Sequence, residues 1–229
     1  MDYKKIGFVI ADDSEFAPVQ KYCDNNGGES YVRRSKNYCR FDCGGTQIVA
    51  VLCGTGKVNA AAATAALIET ENPDCIINFG LSGAVNGVMK GEIMLGSRFV
   101  EYDFDLTPLG YKIGVKPQPV YIYEASERLC GLFSAKYSDI RRGVFATGDR
   151  FVTDDDLRQL LIDEFGANCC DMETAAIASV CHDYELPFLS LRYMSDGANS
   201  DACESYRAVN DLQEDTLLNM VLAVFEHLG

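Results

Sequence analysis

The sequence of 229 residues predicts an α/β fold in one domain spanning residues 1–229. Short apolar runs alternate with amphipathic segments of helical length, which is the pattern of α/β proteins. Apolar residues make up 48% and charged residues 24% of the chain, which supplies a sizeable core and excludes disordered and fibrous classes. The chain has no internal repeat, low-complexity tract or Pro/Ser-rich linker, so one domain is the simplest interpretation.

The elements follow from this alternation in chain order. Runs rich in Ile, Val, Leu and Phe predict strands at Ile6–Ala11, Gln47–Cys53, Asp74–Phe79, Ile93–Val100, Gly143–Thr147 and Phe188–Met194. Segments with helical periodicity predict helices at Glu15–Asp24, Lys57–Thr70, Ser126–Ala135, Asp155–Phe165, Asp171–Tyr184 and roughly Glu204–His227.

The charge balance restricts the partners. The chain has 34 acidic and 20 basic residues, a formal charge of −14. Such a surface repels phosphodiester backbones and anionic lipids, which disfavours nucleic acids and membranes as partners. No apolar run approaches the roughly 18–20 residues of a membrane helix, and the first residues do not resemble a signal peptide. We therefore expect a cytoplasmic protein.

Cysteines and histidines exclude several chemistries. The ten cysteines lack the paired CxxC spacing of a zinc site and are expected to be buried thiols in a reducing compartment. His182 and His227 are the only histidines, which disfavours a Ser-His-Asp or Cys-His triad and a multi-histidine metal site. If the chain is an enzyme, carboxylates must carry the proton chemistry.

Small and polar residues follow five of the predicted strands. Ligands of open α/β sheets bind at the carboxyl edge of the strands, so these clusters predict one shared pocket. The alternative is that Gly, Asp and Ser simply form turns there. The clusters are Asp12-Asp13-Ser14-Glu15, Gly54-Thr55-Gly56-Lys57, Asn78-Phe79-Gly80-Leu81-Ser82-Gly83, Thr147-Gly148-Asp149-Arg150 and Ser195-Asp196-Gly197-Ala198-Asn199.

The second cluster superficially suggests a phosphate loop. It lacks the third glycine of the dinucleotide fingerprint, and Val51 stands where the Walker pattern requires glycine. What remains is a tight turn from strand to helix whose amide groups could face a ligand.

Four charged residues are candidates for the chemistry. Glu15 begins a helix, where it is either functional or a helix-terminus carboxylate favoured by the dipole. Glu173 lies among small and apolar residues, and Arg192 interrupts an interior strand, so both are expected to be buried, with Glu173 or Glu15 pairing with the arginine. Asp196 ends the same strand and is either a buried proton donor or a solvated turn residue.

Taken together, these motifs resemble the nucleoside phosphorylase/nucleosidase superfamily, and within it most closely the 5′-methylthioadenosine/S-adenosylhomocysteine nucleosidases. The similarity extends from about Ile6 to about Tyr206 and also includes the segment Asp103-Phe104-Asp105-Leu106-Thr107. It implies a mixed central β-sheet flanked by helices, a homodimer, hydrolysis of purine nucleosides to adenine and a ribose derivative, and a place in methionine salvage. It implies neither a metal nor an organic cofactor.

The resemblance also implies residue roles. Glu15 would activate water, Asp196 with Ser195 would protonate the leaving purine at N7, and Arg192 would lie close to the water and the acids. Met172 and Glu173 would bind the ribose, and Phe151 and Val152 the base. A second subunit would contribute three residues to the 5′ end of the pocket, Leu106, Leu109 and Pro117.

Some positions depart from the family pattern. Asn78 stands where the phosphorylases carry an arginine that holds phosphate, which favours water as the nucleophile. Leu81 replaces a serine usual in the nucleosidases. Asp12, Thr55 and Tyr206 replace apolar or less polar residues of the 5′ pocket, and Arg150 has no obvious role.

Three alternatives follow. The chain could be a purine nucleoside phosphorylase, a nucleosidase for a nucleoside with a polar 5′ substituent, or a nucleoside-binding protein without turnover.

Overall fold

A computed structural model describes residues 3–209 and 211–226, and side chains except those of 211–214. The strands are β1 Lys5–Ile10, β2 Glu29–Arg33, β3 Lys36–Cys43, β4 Thr46–Leu52, β5 Cys75–Ala84, β6 Ile93–Glu101, β7 Ile122–Glu124, β8 Arg141–Thr147, β9 Cys169–Asp171 and β10 Phe188–Asp196. The helices are α1 Asp13–Asn25, α2 Lys57–Glu71, α3 Glu127–Lys136, α4 Asp155–Phe165, α5 Thr174–Asp183, α6 Ala202–Arg207 and α7 Asp211–Phe225, with a 3₁₀ turn at Thr107–Leu109.

All ten strands belong to one mixed sheet. Their order is β10-β6-β8-β9-β5-β1-β4-β3-β2, with β7 paired to β6. A further parallel pairing joins β10 to β5, so the β5, β9, β8, β6 and β10 part of the sheet closes on itself. The remaining strands extend from β5 as an open arm. The predicted α/β class with a mixed central sheet flanked by helices is confirmed.

The closed part of the sheet changes where two strands end. The prediction ended the third strand at Phe79 and the last at Met194, whereas β5 continues to Ala84 and β10 to Asp196. Residues Gly80–Gly83 are paired with β10, and Gly83 and Ala84 are paired with β9. The glycines and serines predicted as a loop therefore lie on strands, because β10 and β9 supply backbone partners that local sequence does not reveal.

Two predicted helices also differ from the structure. The helix predicted from Asp171 begins at Thr174, because Cys169–Asp171 forms β9 between β5 and β8. The prediction of one helix from Glu204 is wrong, since α6 ends at Arg207 and α7 begins at Asp211; α6 packs on β10 whereas α7 packs also on α1 and α3. The predicted end of that helix, His227, lies outside the described residues.

Most of the cysteines lie in the core. Nine of the ten cysteines are buried, Cys203 is exposed, and all ten are free thiols.

None of the helices in the described residues has the length and apolar character needed to cross a bilayer.

Candidate functional site

A cavity lies at the edge of the sheet where β1, β4, β8 and β10 end. It encloses about 740 Å³ of space between atoms, counted out to the solvent at its mouth. The residues lining it are Ala11, Asp12, Glu15, Thr55, Leu81, Ser82, Gly83, Arg150, Phe151, Val152, Cys170, Asp171, Met172, Glu173, Ser195, Asp196 and Tyr206. All five clusters predicted to follow strands thus contribute a lining residue or lie beside one.

Glu15 lies in the first turn of α1, but it does not cap the helix. Asp12 is the cap, because its Oδ1 accepts hydrogen bonds from the backbone N–H of Ser14 at 2.9 Å and from the Ser14 hydroxyl at 2.7 Å. The Glu15 side chain is instead buried, and its Oε1 accepts a hydrogen bond from the backbone N–H of Leu81 at 2.7 Å. Its Oε2 has no hydrogen-bond partner among the described residues.

The environment of Glu15 suits a carboxyl group that exchanges a proton near neutral pH. Burial raises its pKa to about 7, with the charges of Glu173 and Asp12 acting in the same direction. The charge of Arg192 and the hydrogen bond from Leu81 oppose this rise. Its free oxygen can therefore accept a proton from a molecule in the cavity.

Glu173 stands immediately before α5 and is 5% exposed. Its Oε1 accepts a hydrogen bond from the backbone N–H of Gly56 at 2.9 Å. Its Oε2 lies 3.7 Å from Nη2 of Arg192. Burial raises the pKa of Glu173, while the charge of Arg192 opposes the rise. The turn from β4 to α2 thus holds one carboxylate oxygen of Glu173.

Arg192 is 1% exposed and lies behind the cavity wall without lining it. Its Nη2 donates to Oδ1 of Asn78 at 2.8 Å and to the Thr174 hydroxyl at 2.7 Å, and its Nη1 donates to the carbonyl of Leu81 at 3.2 Å. The predicted pairing with Glu173 is present as a charge contact at 3.7 Å and not as a hydrogen-bonded fork. The hydrogen bonds of the guanidinium therefore go to neutral acceptors and not to a carboxylate.

Asp196 ends β10 and is 2% exposed, so the solvated-turn alternative is wrong. Its Oδ2 accepts the hydroxyl of Ser195 at 2.7 Å, and its Oδ1 accepts the backbone N–H of Ala198 at 2.9 Å. Gly83 faces it closely, because a Cβ built there would lie 3.0 Å from Oδ1. The carboxyl group is therefore fixed by two donors on the cavity wall.

Aromatic and polar side chains form the more open part of the cavity. The rings of Phe151 and Tyr206 meet edge to face, with centroids 5.6 Å apart. Phe151 is 39% exposed, whereas Val152 beside it is buried. The guanidinium of Arg150 donates to Oδ2 of Asp154 at 2.7 Å, which ties it to the start of α4. Met172, Leu81 and Thr55 complete this lining.

The amide groups of the Gly54-Thr55-Gly56-Lys57 turn bind carboxylates of the protein itself. The N–H of Gly56 binds Glu173, and the N–H of Lys57 donates to Oδ1 of Asp149 at 2.8 Å. The Lys57 ammonium binds Glu101 at 3.1 Å and Asp103 at 2.5 Å. The turn therefore serves as a clamp for protein carboxylates, and these two amides and the lysine are not aimed at a ligand phosphate.

Three residues predicted for the site lie away from this cavity. Leu106, Leu109 and Pro117 do not line it, and Leu109 is 72% exposed at the 3₁₀ turn. They belong to a segment that also exposes the apolar side chains of Tyr111 and Val120.

Sequence reasoning missed other lining residues, of which Asp171 is the most notable. It is a further acid directly before the Met172-Glu173 pair, and its proximity to that pair was the signal available in the sequence. Ser82 and Gly83 belong to the third predicted cluster but were given no role, and Cys170 was missed because β9 was not predicted. Within residues 3–209 and 211–226, no group of three or more His, Cys, Asp or Glu side chains could hold a metal ion.

Comparisons with known proteins give the family and the fold. A family model described as the phosphorylase superfamily matches residues 5–226. A 5′-methylthioadenosine/S-adenosylhomocysteine nucleosidase of Halalkalibacterium halodurans is 32% identical, across 98% of this chain and 99% of that protein. The nucleosidase of the same name from S. pneumoniae, solved with the transition-state inhibitor MT-ImmA, is 28% identical with a TM-score of 0.91 and covers 98% of this chain and 100% of its own. Futalosine hydrolase of Helicobacter pylori shares the fold, with 23% identity and a TM-score of 0.91 over 97% of each chain.

Proposed function

The chain belongs to the phosphorylase superfamily, and from that membership we propose that it is a purine nucleosidase that hydrolyses 5′-methylthioadenosine and S-adenosylhomocysteine to adenine and the ribose derivative. One observation carries the proposal. Three buried carboxyl groups, from Glu15, Glu173 and Asp196, come from separate elements and line a single cavity. Cleavage of an N-glycosidic bond needs an acid at the leaving base, a carboxylate near the sugar and a positioned nucleophile.

The three acids divide this work by their surroundings. Glu15 has a free oxygen and a pKa of about 7, so it orients the attacking water and takes its proton. Glu173, held at one oxygen by Gly56, accepts hydrogen bonds from the ribose hydroxyls beside Met172. Asp196, held by Ser195, protonates N7 of the purine. The bond between C1′ and N9 breaks, the water oxygen bonds to C1′, and the base leaves as neutral adenine.

Two further groups support the substrate and the charge. Phe151 and Val152, on the open side of the cavity, contact the adenine ring through the aromatic face and the main chain. Arg192 lies behind Glu173 and opposes the rise in the pKa of both Glu15 and Glu173, which favours their ionised forms as the sugar gains positive charge.

Electrostatics of the cavity favour water over phosphate as the nucleophile. The charged residues that line it are five acids, Asp12, Glu15, Asp171, Glu173 and Asp196, and one base, Arg150. Arg150 is already paired with Asp154. Asn78, at the position of the phosphorylase arginine, is buried and uses its amide oxygen to hold Arg192. A phosphate dianion would meet strong repulsion here, so the phosphorylase alternative is disfavoured.

The 5′ end of the pocket favours a second candidate substrate class. Asp12, Thr55 and Tyr206 line the cavity together with Leu81. Their polar groups suit a hydroxylated or otherwise polar 5′ substituent as well as an alkylthio group. Futalosine hydrolase of Helicobacter pylori has the same fold, so futalosine is included among the substrates to be tested.

We propose a homodimer in which the exposed segment that contains Leu106, Leu109 and Pro117 packs against a second copy and completes the 5′ end. Apolar side chains exposed along one segment support this, with Leu109 72% and Ile122 41% exposed. Sedimentation velocity on the full chain tests it, and a monomer at micromolar concentration would contradict it. A place in methionine salvage is proposed from the similarity to the nucleosidases.

The function is tested by adenine release in phosphate-free buffer. Methylthioadenosine, S-adenosylhomocysteine, adenosine and futalosine are each incubated with the protein, and base and sugar are measured by mass spectrometry. We expect free base with a 1-hydroxy sugar and no dependence of the rate on added phosphate. Ribose 1-phosphate as the product would favour the phosphorylase, and tight binding without any product would favour a binding protein.

Gly80 provides a prediction about the position of Glu15. A Cβ built at Gly80 would lie 2.4 Å from Oε1 and 2.7 Å from Cδ of Glu15. In Gly80→Ala the flexible carboxyl group must move away while the strand stays paired, so we expect kcat/KM for methylthioadenosine to fall by about 10²-fold with little change in melting temperature. Gly131→Ala is the matched control, because a Cβ there meets nothing within 4 Å. Equal activities of the two variants would refute this placement of Glu15.

A further inference from the structure

We propose that Asp171 is a positioning residue for the reaction: it orients the segment that carries Glu173 and balances the buried charge of Arg192 so that Glu173 stays available to the ribose. The inference rests on the proposed nucleosidase function but assigns a residue that the function did not require. Asp171 is 7% exposed and lies directly before the Met172-Glu173 pair on the cavity wall.

One carboxylate oxygen of Asp171 organises the start of α5. Its Oδ1 accepts hydrogen bonds from the backbone N–H groups of Glu173 at 3.0 Å and Thr174 at 2.9 Å, and from the hydroxyl of Thr147 at 2.8 Å. The Thr147 hydroxyl oxygen in turn accepts the N–H of Ala175 at 2.9 Å. Because the backbone N–H of Glu173 is fixed by this oxygen, the direction in which the Glu173 side chain leaves the helix start is fixed as well.

The other oxygen of Asp171 faces the arginine. Its Oδ2 lies 3.7 Å from Nε of Arg192, and neither atom has a hydrogen-bond partner in the described part of the chain, although both are buried. Burial disfavours the charge of Arg192, but Asp171, Glu173 and Glu15 together raise its pKa. A buried guanidinium of this kind needs compensating charge.

Two carboxylates therefore compete for one guanidinium, each at 3.7 Å. The remaining contacts of Arg192 are with neutral acceptors on Leu81, Asn78 and Thr174. Without the charge of Asp171, Glu173 alone would balance the arginine at this end and would be drawn onto it. Asp171 thus leaves Glu173 free to accept hydrogen bonds from a sugar.

The charge of Asp171 also acts on the titration of the site. It raises the pKa of Glu173, in the same direction as the larger effect of burial. Removing it leaves Arg192 less compensated, so the pKa of Glu173 must fall. The ionisable groups on which the charge of Asp171 acts are Arg192 on β10, Glu173 before α5, Cys169 and Cys170 on β9, and Tyr102 after β6. Asp196 on β10 and Glu15 on α1 line the same cavity as Asp171.

The test is the variant Asp171→Asn, which keeps an acceptor oxygen for the helix start and removes the charge. We expect KM for methylthioadenosine to rise about 10-fold, with a smaller change in kcat. The acid limb of the kcat/KM profile that Glu173 sets should move to lower pH, while the limb that Glu15 sets near pH 7 stays in place. Activity is lost as pH falls through the pKa of an essential carboxylate, so a lower pKa moves that limb downward. A merely structural role would lower activity at every pH without moving the limb.

Two further variants serve as controls for this test. Asp74→Asn is matched, because Oδ2 of Asp74 accepts two backbone N–H groups, those of Lys4 at 2.7 Å and Lys5 at 2.8 Å, at an exposed position outside the cavity. It should leave the pH profile unchanged. Asp171→Ala removes acceptor and charge together and should lower the melting temperature as well as activity.

The affinity for MT-ImmA, measured by calorimetry across pH, is an independent readout that needs no turnover. A pH profile and an inhibitor affinity of Asp171→Asn equal to those of the unsubstituted protein would overturn the positioning role while leaving the nucleosidase intact. Absence of hydrolysis by the unsubstituted protein would instead refute the proposed function. A shift of inhibitor affinity with pH in Asp171→Asn alone would still support the positioning role.

Discussion

Replacing Asp196 by Asn is expected to lower kcat for adenine release from methylthioadenosine by about 10²–10⁴-fold. The amide oxygen can still accept the backbone N–H of Ala198, and the amide nitrogen can donate to the Ser195 hydroxyl, so the cavity should keep its shape. What is lost is the proton for N7, without which the purine must leave as an anion. KM should change by a few-fold at most, and steady-state kinetics with a coupled adenine assay separate the two parameters.

Ser195→Ala is the companion variant for this prediction. It leaves the carboxyl group but removes the hydroxyl that donates to Oδ2 at 2.7 Å. We expect a loss of about 10-fold, well below that of Asp196→Asn, because the acid remains and only its orientation loosens. If Asp196→Asn kept more than a tenth of the activity, another group would have to supply the proton and the proposed roles would fail. An Asp196→Asn crystal grown with methylthioadenosine should contain the intact nucleoside.

The sequence predicts the alternation of the fold better than its closure. Every predicted strand is found within about two residues at its start, because hydrophobic runs mark where chains enter a core. The ends of β5 and β10 are not predicted, since Gly80–Gly83 and Asp196 become strand residues only through pairing with each other and, for Gly83, with β9. Pairing between segments more than eighty residues apart along the chain leaves no local signature.

Hairpin β2–β3 was missed for a different reason. Residues Glu29–Cys43 are mostly polar; β2 is exposed or half-buried along its whole length, and only β3 has buried positions. Tyr31 and Tyr38 stack at 5.2 Å, and Arg33 and Arg40 bind Glu71 on α2. These contacts stabilise strands whose own apolar content is too low to predict them.

For the site, burial arguments worked where a charge stood among apolar residues. Glu173 and Arg192 were predicted to be buried for that reason, and both are. Asp171 was not predicted as a site residue because its neighbours Cys170 and Met172 suggested only a helix start. That the turn at Gly56 binds Glu173 was also beyond prediction, because 117 residues separate donor and acceptor. The tertiary fold determines which charged groups pair, whereas the local pattern of apolar residues indicates whether a residue is buried.

Replacing Glu15 by Gln is expected to lower kcat by a similar factor of about 10²–10⁴ and to change the dependence of stability on pH. Gln keeps an acceptor for the backbone N–H of Leu81 but cannot take a proton from water. In the unsubstituted protein, kcat/KM should fall on the acid side of a pKa of about 7, where burial has raised that of Glu15. Initial rates between about pH 5 and about pH 9 measure this limb.

The effect of Glu15 on the pH dependence of stability has a definite direction. The pKa of Glu15 is raised by burial from 4.5 to about 7, so the folded state holds the proton more tightly than the unfolded state does. Its contribution to stability is therefore fully present below the unfolded pKa and is lost as pH rises through about 7. The raised pKa corresponds to about 3 kcal/mol, lost between about pH 4 and about pH 8. Glu15→Gln should lack this loss and be more stable than the unsubstituted protein in alkaline buffer.

Glu71 offers the opposite case in the same molecule. It is also buried, which by itself raises its pKa, but hydrogen bonds and charge from Arg40 and Arg33 lower the pKa overall. Its contribution to stability is present above the unfolded pKa and is lost as pH falls. Glu71→Gln should therefore destabilise the protein at neutral pH and leave kcat unchanged, because it lies outside the cavity.

The pair of variants separates catalytic burial from structural burial. Urea unfolding at several pH values measures both stability changes, and initial rates measure the activities. A carboxyl group that costs stability at the pH where the protein works is retained for what it does in the cavity. If Glu15→Gln were both active and no more stable than the unsubstituted protein at alkaline pH, Glu15 would be neither the base nor a strained acid, and the water would have to be activated by another side chain.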